Sequence, residues 1–231
     1  MPAAESEPPT MRERYRAQVR DEVKQAALAQ LAQGGPAAVS ISAIGKQLGV
    51  SGPALYRYFA SRDELLTELV IDAYDDLAAA LAQGAGESTG QDPRGRLEAT
   101  ARAYRAWALA QPHRYRLLYG PPLPGYDAHA ERIVEAAWAS MKVLLAIIGE
   151  QSLGESTQGA GLPQPLDTQL AAWAQSHSPG ADPATALRAV LAWSRLHGIV
   201  SLEIAGNFAS MGLDAGKLFE IQLAMLGKGP R

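Results

Sequence analysis

The segment LGVSGPALYRYF, residues 48–59, admits very few folds. Gly49 can take a left-handed backbone conformation, which ends one helix and reverses the chain. Ahead of it, Ile41, Ile44 and Leu48 lay an apolar stripe on a short helix. Behind it, Val50 fills the angle between two helices, Ser51 can N-cap the second and Pro53 suits its first turn. Leu55 and Phe59, four apart, return to the core. The pattern predicts two helices at a steep angle across a glycine turn, a helix-turn-helix.

With Leu55 and Phe59 inward, Gly52, Pro53, Ala54, Tyr56 and Arg57 point elsewhere. Between Ser40 and Arg62 stand three cations (Lys46, Arg57 and Arg62) and no Asp or Glu, a local charge of +3. The whole chain of 231 residues carries a formal charge of −3, so a nucleic-acid site has to be local. A cationic, aromatic-bearing surface on a short protruding helix suits the phosphate backbone and the major groove. The bland reading is an exposed face that only keeps the protein in solution. Turn chemistry, core spacing and charge agree on the sharper one. Arg12, Arg14, Arg16 and Arg20 precede and enter the first helix. They are either an arm for a minor groove or phosphates, or a solvated helix start offset by Glu13 and Asp21.

Ala and Leu dominate elsewhere and β-branched residues are sparse, so the pattern is helical nearly throughout. Residues 1–11 read as a disordered tail with neither the charged start nor the apolar run of a secretory signal. A first helix is expected over about 12–33, stopped at Gly34-Gly35-Pro36. Short helices follow near 42–48 and 52–59, and a long one over about 62–82. GAGESTGQDP (84–93) reads as a linker. Later helices are expected near 93–111, 112–119, 127–150, 166–177, 183–207 and 214–227. The loops at 152–165 and 178–183 separate the last of them. Apolar runs fall short of the roughly 18 residues of a membrane span. An intracellular, cytoplasmic protein is the simplest expectation.

The chain has no cysteine, which removes disulfides, thiolate metal sites and cysteine nucleophiles. None of the four histidines has Glu three residues ahead, as a di-iron helix bundle would need. No HExxH, P-loop or G-x-S-x-G motif occurs. GPPLPG (120–125) lacks the Lys-Ser/Thr continuation of a phosphate loop and reads as a rigid turn. We expect no catalytic residues, no metal and no cofactor.

LGVSGPALYRYFASRDELL resembles the DNA-binding segment of the TetR family of bacterial transcriptional regulators, with the likeness covering about residues 15–66. AYRAWALAQPHRYRLLYGPPLPGY (103–126) and WSRLHGIVSLEIAGNF (193–208) resemble the subgroup named for a Trp-His-Gly element, here Trp193, His197 and Gly198. The resemblance implies an all-α fold. A three-helix helix-turn-helix DNA-binding domain (12–66) would precede a helical ligand-binding and dimerisation domain (67–231). It also implies that Ser42, at the start of the helix before the turn, meets DNA. Gly52, Pro53, Ala54 and Arg57 would form the reading face, and Tyr56, Tyr58 and Arg62 would touch phosphates. Gly52 and Ala54 stand where polar side chains could read base edges, which leaves Arg57 as the strong base reader and gives DNA shape a part in specificity.

Beyond the linker, Tyr104, Trp107, Tyr115, Tyr119, Trp138 and Met141 could line an apolar effector pocket or simply form core. His197 is the histidine candidate for the same pocket, since it should face the same way as Trp193 and Val200; the bland reading is a structural histidine. Along 183–207, Leu187, Leu191, Ser194, Gly198, Ser201 and Ala205 recur in steps of three and four, a face for a partner helix in this chain or in a second copy. A helix-turn-helix protein on a two-fold operator needs two reading heads, which favours the homodimer. The expected function is a repressor released from a palindromic operator by a small molecule. The alternative is a helical ligand-binding module or enzyme without DNA binding.

Overall fold

A computed structural model describes residues 10–87, 90, 92–120, 125–152, 163–177 and 182–226. Regular structure among them is helical, and none of the described helices is long and apolar enough to cross a membrane. The chain divides into two compact units. One holds the residues through Val70 together with Tyr119–Ala128, and the other holds the remainder, so the division falls inside the fourth helix.

In the first unit, α1 (Met11–Gly34) starts on a reciprocal cap. Thr10 Oγ1 accepts the Glu13 N–H at 3.3 Å, and the Thr10 N–H returns to Glu13 Oε2 at 2.8 Å. Of the expected tail 1–11, residues 1–9 lie outside the described residues, while Thr10 and Met11 form the cap and first turn of α1. α1 buries Val19, Val23, Ala26, Ala27 and Leu31, and Gly35 at φ 69° closes it by donating to Leu31 O at 2.9 Å. A 3-10 turn (Pro36–Ala38) leads to α2 (Ile41–Leu48), capped by Ser40, whose side chain accepts the Ala43 N–H. Gly49 ends α2 in the left-handed region at φ 66°, the conformation that the sequence demanded.

α3 (Gly52–Leu55) is a short helix whose turns continue through Tyr58. Ser51 holds the N-cap position in extended conformation, but its side chain makes no capping bond. Ile44, Leu55 and Phe59 are buried, as are Leu65, Leu66 and Leu69 of α4 (Arg62–Glu87). Each such side chain contributes about 1.5–3 kcal/mol by leaving water. Tyr126 joins this unit through a 3.2 Å hydrogen bond between its hydroxyl and Thr67 Oγ1.

The second unit contains α5 (Pro93–Ala110), all but the last residue of α6 (Pro112–Tyr119), α7 (Glu131–Ser152), α8 (Gln164–His177), α9 (Pro183–Ile204), α10 (Asn207–Ser210) and α11 (Ala215–Leu226). Asp92 and Asp182 cap α5 and α9, each with its carboxylate on a backbone N–H of the first turn. The main cluster packs Trp138, Leu144, Leu145, Ile147 and Ile148 of α7 against Leu97, Ala189 and Ala192. Small residues on α9 let the helices approach closely there. A second cluster joins Leu170 and Ala174 to Ala186.

The expected linker is where the structure departs from the pattern. α4 runs on to Glu87, and Ala85 is buried. Gly84 is a packing residue. A Cβ on it would stand 2.7 Å from Ala103 Cβ and 3.2 Å from Ala99 O, so α4 and α5 cross where neither can carry a larger side chain. The expected loops at 152–165 and 178–183 lie mostly outside the described residues.

Candidate nucleic-acid interface and effector unit

The helix-turn-helix leaves a specific set of side chains outside. Ser42, Pro53, Tyr56 and Arg57 are exposed, while Gly52, Ala54 and Tyr58 are partly so. Tyr56 is an exposed aromatic at 55%. Arg57 makes no side-chain hydrogen bond or ion pair among the described residues, so its whole fork is available. Arg62 sits differently from its expected phosphate role. Its Nε donates to Val39 O at 3.0 Å and its Nη2 to Pro36 O at 2.7 Å, fastening the start of α4 to the 3-10 turn. Its third nitrogen lies 3.6 Å from Asp63.

Two α1 arginines have a role that the sequence did not reveal. Arg16 Nη2 donates to Arg57 O at 3.3 Å, and Arg20 Nη1 donates to Tyr58 O at 2.7 Å. Cations on the last carbonyls of a short helix suit its dipole. Arg20 also lies 4.5 Å from the Phe59 ring centroid and pairs with Glu68 at 3.0 Å. Arg16 stands over Tyr58 at 5.9 Å. α3 and the turns that continue it are therefore held from behind by α1. No local sequence signal marks contacts between residues about forty apart.

In the second unit the expected aromatic group separates into distinct neighbourhoods. Tyr104 and Tyr115 converge on His197, with Tyr115 Oη 3.0 Å from Nδ1 and Tyr104 Oη 3.5 Å from it. The imidazole plane lies nearly parallel to the Trp193 ring, at 5.4 Å and 15°, and to the Tyr115 ring, at 5.8 Å and 23°. Burial pushes the His197 pKa down, so the ring favours its neutral form. Trp107 turns to Asp76, donating Nε1–H at 2.9 Å to the carboxylate oxygen that Arg114 also holds at 2.8 Å. Trp138 packs in the core cluster with Met141 beside it, and its ring lies 4.7 Å from Trp173. Tyr119 falls with the first unit.

On α9, Leu187 packs within the chain against the Leu170–Ala174–Ala186 cluster. The rest of the expected stripe is open. Leu191, Ser194 and Ala205 are exposed, Ser201 is half-buried, and a Cβ on Gly198 would meet nothing within 4 Å. Leu202, Ile221 and Met225 are also exposed, at 44%, 55% and 56%. Arg105 clamps the helices carrying them. It pairs bidentately with Glu203 at 2.6 and 2.8 Å and lies 5.3 Å from the Phe219 ring centroid. Among the described residues, no three His, Asp or Glu side chains group as a metal site would require.

Comparison with known proteins agrees with this architecture. Residues 25–69 match the family described as bacterial regulatory proteins, tetR family, and residues 97–226 match the tetracyclin repressor-like C-terminal domain. An HTH-type transcriptional regulator of Mycobacterium tuberculosis is 34% identical over 217 residues, covering 91% of this chain and 92% of that protein. The crystal structure of a regulatory protein is 43% identical with a TM-score of 0.78, covering 96% of this chain and all of the other. FadR of Bacillus subtilis, solved with stearoyl-CoA, shares the fold at 16% identity, a TM-score of 0.63 and coverage of 91% and 99%.

Proposed function

Because the chain belongs to the TetR family of bacterial regulators, we propose that this helix-turn-helix regulator is a homodimeric repressor released from its operator by a small molecule. The observation that carries the DNA reading is the exposed Arg57 on a recognition helix held by Gly49 in front and by Arg16 and Arg20 behind. Arg57 then reads a guanine edge in the major groove. Pro53 or Ala54 touches a thymine methyl, and Ser42, Tyr56 and Tyr58 meet the backbone. Arg62 acts through the carbonyls that it holds, by fixing the start of α4.

The exposed apolar residues of α9 and α11, with the open Gly198, support a two-fold interface between two copies. The effector is an apolar molecule with one or two hydrogen-bonding groups, recognised near Tyr104, Tyr115 and His197. Trp193, His197 and Gly198 support placement in the Trp-His-Gly subgroup. The relatives named as regulators favour a cytoplasmic, non-enzymatic role. Linkage requires that an effector which weakens DNA binding be itself weakened by DNA to the same factor.

Selection of duplexes from a randomised library by the full chain tests the reading. Enrichment of a two-fold symmetric sequence supports it. Failure to retain any duplex above a protein-free control overturns it.

A further inference from the structure

The α1 arginines pose a problem in electrostatics. Arg12, Tyr15, Arg16, Ala54, Arg57 and Tyr58 line one concavity of about 340 Å³ between the start of α1 and the recognition helix. Three arginines share it with two tyrosines, and no acidic residue lines it among the described residues. Like charges converging on a cleft repel unless an anion enters, and a cleft of one sign raises the local concentration of the opposite one. The nearest acid in sequence, Glu13, is engaged in the helix cap and forms no ion pair with them among the described residues. The Glu13 carboxylate accepts hydrogen bonds from the Thr10 N–H and hydroxyl, both at 2.8 Å.

The cleft is built rather than incidental. The Thr10–Glu13 cap fixes where α1 begins, so Arg12, Tyr15 and Arg16 fall three and four apart on one face. Arg16 then ties that face to the recognition helix through Arg57 O. Arg12 makes no ion pair or hydrogen bond among the described residues, and Tyr15 is 64% exposed. Arg12, Tyr15 and Arg16 lie ahead of residues 25–69, the segment matched to the family's DNA-binding region.

We propose that this cleft receives a backbone phosphate of the bound DNA, held by Arg12 and Arg16 with Tyr15 at the rim, beside the bases that Arg57 reads. The inference rests on the DNA-binding reading above. It assigns α1 a phosphate-positioning role that carries no sequence preference of its own. The requirement is a strong acceptor with delocalised negative charge, which matches a phosphodiester and the planar donors of arginine.

The test compares the full-length protein with Arg12→Gln and Arg12→Lys on two duplexes of equal length, one selected by the wild type and one scrambled. Neutralising one phosphate contact reduces the slope of log affinity against log salt by about 0.9 per head, or about 1.8 for two heads. Raising salt from about 50 to about 200 mM should then cost the wild type about twelvefold more affinity than a two-headed Arg12→Gln protein. Affinity for both duplexes should fall together, and Arg12→Lys should keep the wild-type slope. An unchanged slope in Arg12→Gln overturns the proposal, as does a change in preference between the two duplexes at constant slope. If the wild type retains neither duplex, the DNA-binding reading has failed. If it binds and Arg12→Gln behaves identically, only the cleft assignment has failed. Arg12 is exposed on a capped helix, so circular dichroism should show the variants folded alike.

Discussion

Gly84 separates two accounts of residues 84–93, and replacing it decides between them. As part of a flexible linker it would gain from alanine, since Gly→Ala at a compatible site stabilises by about 0.4–1 kcal/mol through the unfolded chain. The structure predicts the opposite sign. The new Cβ would stand 2.7 Å from Ala103 Cβ, 3.2 Å from Ala99 O and 3.5 Å from Thr100 Cα. Carbon atoms pack best at about 3.5–4.0 Å, so α4 and α5 must part by nearly 1 Å locally. Of the two obstructing atoms, Ala99 O is backbone and Ala103 Cβ is a methyl fixed on Cα, so neither can swing aside, while Thr100 Cα is already in ordinary contact. Overpacking of this kind costs about 1–3 kcal/mol, and it outweighs the glycine gain. The net loss is on the order of 1–2 kcal/mol. At about 2–4 °C per kcal/mol for a chain of this length, Gly84→Ala should lower Tm by several degrees. Gly86→Ala is the internal control, because a Cβ there meets nothing within 4 Å. It should leave Tm unchanged or slightly raised. Scanning calorimetry of the three proteins at equal concentration reads both. A Gly84→Ala protein as stable as Gly86→Ala would refute the close crossing of α4 and α5.

Two further expectations concern the second unit. Because burial lowers the folded His197 pKa below its usual value of about 6.5, the unfolded chain takes up the proton first, and stability should fall as pH drops below about 6.5. His197→Gln should flatten that dependence in thermal melts between pH 5 and 8, and an equally steep wild-type-like fall would contradict the assignment. A Cβ at Gly198 meets nothing within 4 Å, so in Gly198→Glu the protomer should keep its helical spectrum. Sedimentation should nevertheless shift the protein toward monomer. A variant still dimeric at micromolar concentration would place the interface elsewhere.

What could be read from the sequence was local. Gly49, the Ile41–Ile44–Leu48 stripe and the Leu55–Phe59 pair lie within twenty residues, and turn chemistry dictates their arrangement. The helices of the second unit were legible from periodicity, whereas the caps Asp92 and Asp182 stood inside segments that read as linker and loop. Gly84 was not. A glycine that permits close packing and a glycine that loosens a linker look the same until the partner surface, here Ala99–Ala103, is known. The aromatic residues behaved likewise. Helical spacing gave no means of seeing that Trp107 turns to Asp76 while Trp138 joins Trp173. Arg62 shows the limit for charge: its donors point to Val39 and Pro36 carbonyls, which only the folded chain brings near. Leu187 kept the period of its stripe, yet α8 claims it.

The central claim is that sequence is read by the recognition helix through Arg57, and one titration addresses it directly. Wild-type protein and Arg57→Ala are titrated at fixed salt against the library-selected duplex and a scrambled duplex. A bidentate contact to a base edge is worth about 1–3 kcal/mol, so Arg57→Ala should weaken the selected duplex by about 5- to 150-fold. Its ratio between the two duplexes should shrink accordingly. The side chain is exposed and makes no internal bond among the described residues, so the melting temperature should stay within error of wild type. If affinity and preference both survive the substitution, the reading face has been assigned to the wrong surface.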